Sequence, residues 1–161
     1  MLPPRAPLPH DWPSARALLA AETARHPYAA RTLELLDAAA GRSVEYHAAV
    51  AASEGEAVGV VVYGLTSGAS GAGALYGIAV ADAWRRRGVG AALVRHAADE
   101  LRALGARFAL AEVPEDPLAL GGVLALLATA GFRAEARVAD LYRDGVGVVF
   151  MRRELGAESR P

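Results

Sequence analysis

The run Arg85-Arg86-Arg87-Gly88-Val89-Gly90-Ala91 brings three guanidinium groups and two glycines to the point where an apolar segment gives way to a helical pattern. Helix starts favour Asp or Glu near the positive end of the dipole, and this one has neither. Backbone N–H donors and arginine side chains are what an anionic ligand needs there. Gly88 and Gly90 also lack the Cβ atoms that would hold phosphate oxygens off the amides. A solvated arginine patch, with glycines for close packing, explains the same residues equally well. Farther on, Glu112 interrupts the apolar run Ala111-Glu112-Val113. A carboxylate at the end of such a strand calls for a task, such as accepting a proton, or for a salt-bridge partner.

Two common phosphate loops do not fit. A mononucleotide loop needs a lysine after its last glycine, and the chain has none; a dinucleotide fingerprint needs a third glycine where Leu93 stands. The spacing Arg85-x-x-Gly88-x-Gly90, preceded by Leu75-Tyr76-Gly77-Ile78-Ala79-Val80 and followed by Ala91-Ala92-Leu93-Val94, resembles the acyl-CoA-binding segment of the GNAT superfamily of N-acyltransferases. The resemblance covers the chain from about Ser14 to Leu155 and is strongest from Leu75 to Gly105.

This resemblance implies an α/β (α+β) fold, a mixed and centrally splayed sheet flanked by helices. It implies that the turn from Arg85 through Arg86, Arg87, Gly88, Val89 and Gly90 to Ala91 grips the CoA pyrophosphate. The backbone of Ile78, Ala79 and Val80 would pair with the pantetheine arm, and one amide would polarise the thioester of acetyl-CoA, the expected acyl donor. Glu112 falls where the related Leu-Glu-Val of ribosomal-protein alanine acetyltransferases places a general base. Family members often carry an Asn early in the last helix and a Tyr four residues before its closing Gly-Phe. Here Leu127 precedes Gly131-Phe132, and the chain has no asparagine.

A leucine cannot protonate a leaving thiolate, so the thiolate leaves unassisted or another hydroxyl substitutes. Tyr142 is the candidate, with Tyr76 a further option. The segment Leu141-Tyr142-Arg143-Asp144-Gly145 resembles the Tyr-Tyr-x-Asp-Gly hairpin of N-terminal protein acetyltransferases, whose tyrosines help hold the substrate peptide. An amphipathic residue at a strand end is the plainer reading of Tyr142. The implied activity is direct acetyl transfer from acetyl-CoA to a primary amine, on a small molecule or a peptide N-terminus. The alternative is an acyl-CoA-binding module without turnover. A homodimer is left open, because family members often pair through edge strands.

The elements that must position these residues follow from pattern. Five prolines within Met1 to Pro13 restrict any strand there to a short edge piece. Asp11 or Ser14 can cap a helix running to about His26. A second helix from about Tyr28 places Thr32, Leu35, Leu36 and Ala39 on one face and ends at Gly41. Val44 to Ala52 and Ala57 to Leu65 read as a hairpin, Thr66 to Gly73 as a mobile loop, and Ala74 to Val80 as a strand. Leu93, Ala97, Leu101 and Leu104 share a face of the helix after Gly88. Arg107 to Val113 is then a strand parallel to the previous one. A turn over Pro114 to Pro117, a helix from about Leu118 to Ala130 and a hairpin around Arg143-Asp144-Gly145 complete the order.

Length suits one domain over the whole 161 residues. A formal net charge of −1 gives no global attraction to nucleic acid or membrane. The absence of cysteine excludes disulfides, thiolate metal sites and a thiol-linked acyl-enzyme. His10, His26, His47 and His96 lack metal-ligand spacing and read as surface or half-buried residues, and Glu115 and Asp116 as turn residues. No apolar run is long enough to span a bilayer, the start lacks a signal peptide's apolar core, and a cytoplasmic protein is expected.

Overall fold

A computed structural model describes residues 3–26, 30–116 and 120–156. The elements run α1 (Trp12–Arg25), α2 (Arg31–Ala40), β1 (Tyr46–Ser53), β2 (Glu56–Leu65), β3 (Ala72–Val80), a 3-10 turn (Asp82–Trp84), α3 (Val89–Ala103), β4 (Phe108–Pro114), α4 (Leu120–Thr129), β5 (Arg133–Arg143) and β6 (Val146–Glu154). This is the order read from the sequence. The strands form one six-stranded sheet in the order β1-β2-β3-β4-β6-β5. All neighbours are antiparallel except β3 and β4, which are parallel across the α3 crossover.

The sheet separates two apolar layers. On one face, Leu93, Ala97 and Leu101 of α3 and Leu127 of α4 pack with Val61, Ala109, Ala111 and Met151. On the other, Leu19 of α1 and Leu35 and Leu36 of α2 pack against Val50, Val60 and Val62. Residues of β1 to β3 therefore alternate between two covered faces, which is why those strands read as nearly continuous apolar runs.

Several local expectations are corrected. Neither Asp11 nor Ser14 caps α1 with its side chain. The Asp11 carboxylate, fully buried, instead accepts from Arg5 at 2.6 Å and from the Leu8 N–H at 2.6 Å. That pair ties the proline-rich start to the sheet, where Arg5 bridges Val50. Tyr28 and Leu118, expected at helix starts, lie outside the described residues. Gly41 follows α2 with φ −75°, and the left-handed position falls to Arg42 at φ 62°. Leu104 is 44% exposed because α3 ends just before it. The hairpin between β1 and β2 turns through Glu54 and Gly55, both at positive φ, as a two-residue turn of primed type requires.

Candidate active site

The site begins where the parallel pair comes apart. β3 and β4 are paired from Ala72 with Phe108 to Leu75 with Ala111, and the ladder stops there. From Tyr76 to Val80, β3 has β2 on one side and a cleft on the other. Backbone polar groups on that side must find other partners: the Thr32 hydroxyl donates to the Tyr76 carbonyl at 3.0 Å, and Arg85 Nε to the Val80 carbonyl at 3.1 Å. The rest of that edge is available to an extended chain bearing amides.

The arginine turn follows at the end of β3. Arg86 at φ 60° and Gly88 at φ 79° alternate with ordinary residues, so the turn is held partly in left-handed backbone. Strain of this kind concentrates at functional sites. Gly88 is the N-cap of α3, no acidic residue stands in the first turn, and space at the missing Cβ of Gly88 is open. The amides of Val89, Gly90 and Ala91 precede the first intrahelical bond, donated by Ala92 to the Gly88 carbonyl at 3.0 Å. They are the orphan donors of a helix start. Gly90 serves another purpose as well: a Cβ there would meet the methyls of Leu126 at 3.1 Å, so this glycine lets α3 approach α4.

The three arginines have different surroundings. Arg85 reaches back to α1, where Nη2 lies 2.6 Å from Glu22 Oε1, and it also contacts Asp82 at 3.2 Å. The Arg87 guanidinium sits 5.4 Å over the Trp84 ring, and Trp84 packs against the core beneath. Arg86 and Arg87 are exposed beside the helix start.

A cavity occupies the cleft between the α1/α2 layer and α4, with β3 and β4 as its floor. Its walls are mostly apolar, from Leu19, Leu75, Ile78, Val94, Val113, Val123 and Leu127, with Glu22, Thr23, His26, Thr32, Tyr76 and Glu112 as the polar members. Leu127 is 3% exposed and supplies no proton to this space. Glu112 is exposed rather than buried. Its partner is the residue singled out in the last hairpin: the Tyr142 hydroxyl, arriving on β5, donates to Glu112 Oε2 at 3.3 Å. Burial first, and then the Glu112 charge, push the Tyr142 hydroxyl up to about 12.

The segment after β4 is more than a turn, contrary to its sequence reading. Glu115 pairs with Arg137 of β5 at 2.6 Å, and its N–H bonds the Gly147 carbonyl at 2.9 Å, so the hairpin is pinned beside Glu112. Asp116 lies 3.7 Å from His26 Nδ1 at the end of α1. Residues so distant in sequence, each followed by proline, carry no local signal of their meeting.

None of the curated proteins matches the chain. Among solved structures, it resembles a GNAT-family protein from Desulfovibrio desulfuricans at 28% identity and TM-score 0.83, over 95% of this chain and 98% of that one. It shares the fold of a ribosomal-protein-alanine N-acetyltransferase from Brucella melitensis, at 20% identity and TM-score 0.74 over 95% and 99%. It also shares that of an aminoglycoside 6'-acetyltransferase type Ii, at 17% identity and TM-score 0.79 over all of both chains. The family profile of the GNAT acetyltransferases matches residues 12–120, from α1 through the arginine turn to the start of α4. With that match and the splayed parallel pair at its centre, the chain belongs to the GNAT acetyltransferase family.

Proposed function

We propose that the protein is an acetyl-CoA-dependent N-acetyltransferase acting on a primary amine by direct attack. The observation that carries this reading is the meeting of Tyr142 with Glu112, a residue of the cleft wall, beside a strand β3 that runs on to the bare start of α3. The amides of Gly88 to Ala91, with Arg86 and Arg87, suit the CoA pyrophosphate. The edge of β3 at Ile78, Ala79 and Val80, past the end of its ladder with β4 and with the Val80 carbonyl held by Arg85, suits the pantetheine amides. Bound there, acetyl-CoA supplies the activated acyl group.

Arg85 does not join that grip directly, because Glu22 and Asp82 already hold its guanidinium. It fixes the turn against α1. Glu112 takes a proton from the acceptor amine, directly or through water, and its exposure leaves room for the amine. Tyr142 has a different role from a general acid. A phenol near 12 is a far weaker acid than a thiol near 8.5, so it does not hand its proton to the departing thiolate. Its hydroxyl donates to Glu112 and sets which lone pairs of the carboxylate face the amine.

Leu127, apolar at the wall where the family often places a tyrosine, favours a second reading, a module that binds acyl-CoA without turning it over. Release of free CoA thiol over a panel of primary amines decides between them. Turnover supports the enzyme; tight acetyl-CoA binding without release of thiol supports the module.

A further inference from the structure

Acetyl transfer to an amine moves two protons. An alkylammonium must lose one before its nitrogen attacks the thioester carbon. The nitrogen sheds a second as the new C–N bond is completed and the C–S bond breaks; one proton ends on the CoA sulfur and the other on water. Glu112 accounts for one acceptor.

Among the described residues, His26 is the only histidine that lines the cleft. Its side chain is 16% exposed, and that of Asp116, two residues after β4, is 14% exposed. The carboxylate lies 3.7 Å from Nδ1, which has no contact with solvent. The contact is longer than a hydrogen bond, so the carboxylate acts through its charge: a nearby carboxylate attracts the cation formed when an imidazole takes up a second proton. Imidazole is also the side chain suited to proton transfer between pH 5 and 8.

The charged and titratable groups around it agree. Glu22, one turn earlier on α1, is held by Arg85; Tyr76 of β3 and Glu112 of β4 line the same space; Glu115 is held by Arg137. Of the cations near this wall among the described residues, Arg85 is held by Glu22 and Asp82, and Arg25 lies 3.8 Å from Glu22 and 3.9 Å from Asp82.

We propose that the His26–Asp116 pair, which joins the end of α1 to the residues just after β4, carries away one of the two protons that the acceptor amine loses. His26 is the proton carrier and Asp116 positions it. The proposal rests on the acetyl-transfer reading.

The test follows CoA thiol release from acetyl-CoA by the full chain, with a polyamine, an aminoglycoside and a peptide with N-terminal alanine as acceptors. His26→Ala is expected to lose about 10²-fold in kcat with acetyl-CoA affinity unchanged, and millimolar imidazole to restore much of the loss. Asp116→Asn is expected to show a smaller loss, again in kcat. A rate undiminished in His26→Ala, or a loss that imidazole leaves in place, overturns the proposal alone. No release by the wild-type protein on any amine overturns the acetyl-transfer reading and this inference with it.

Discussion

At the scale of single residues, Glu112 and Tyr142 show how a weak hydrogen bond can define a role. The 3.3 Å contact is long for a hydroxyl donating to a carboxylate, and both groups are accessible enough for an acceptor to come between them or beside them. With its hydroxyl pushed up to about 12, Tyr142 stays protonated over the working range and acts as a donor throughout. Tyr142→Phe should therefore lower kcat by about 10-fold or less, the scale of one modest hydrogen bond of about 1 kcal/mol. The alkaline side of the pH–rate profile should not change below about pH 10. An alkaline limb that disappears in Tyr142→Phe would show instead that the phenol titrates in the reaction. Glu112 and Tyr142 could be singled out from their motifs, whereas their contact could not, since it depends on the hairpin's course over β4. His26 and Asp116 left no mark, because pairing of side chains ninety residues apart is written in packing, not in spacing.

At the scale of elements, α2 packs on β3 just where it parts from β4. Thr32 of α2 inserts at Gly77: its hydroxyl bonds the Tyr76 carbonyl, and its methyl occupies the place a Cβ at Gly77 would take. Gly77→Ala should push α2 away and destabilise the fold by about 1–3 kcal/mol, the usual cost of overpacking. Adding Thr32→Ser removes the clashing methyl, keeps the hydroxyl and should recover most of that loss in denaturant unfolding. An equal loss in the double variant would contradict this packing. The helices and strands themselves were legible because their apolar positions recur at the periods of their faces. The corrections fall where tertiary partners outweigh local chemistry, as when the buried Asp11 carboxylate turns to Arg5 and Leu8 instead of capping α1. Gly90 likewise reads in sequence as room for phosphate, while its near neighbour is Leu126 of α4.

At the scale of the whole molecule, pH should act on stability from both ends. Burial raises the Asp11 carboxyl, but Arg5 and the Leu8 N–H outweigh it and hold the group below its ordinary 3.8. Its contribution is thus complete above about pH 4 and is lost as pH falls through the lower folded value. Tyr63 and Tyr142 are displaced the other way, to about 12 from 10.0, by burial first and by nearby carboxylates second. Their contribution is complete below pH 10 and is lost as pH rises toward 12. The melting temperature should therefore be flat between these limits and fall on both sides. Asp11→Asn should flatten the acid side relative to wild type, from a lower plateau, and an unchanged acid limb in that variant would contradict the assignment.

In the proposed reaction a carboxylate on β4 takes a proton from an amine beside acetyl-CoA lying in the cleft. The most direct measurement compares thiol release from acetyl-CoA by wild type and Glu112→Gln over primary amines, with acetyl-CoA affinity measured by calorimetry on both. Thiol release by the wild type, falling by about 10²- to 10⁴-fold in Glu112→Gln with affinity unchanged, is the predicted result. Equal rates in the two proteins would contradict it.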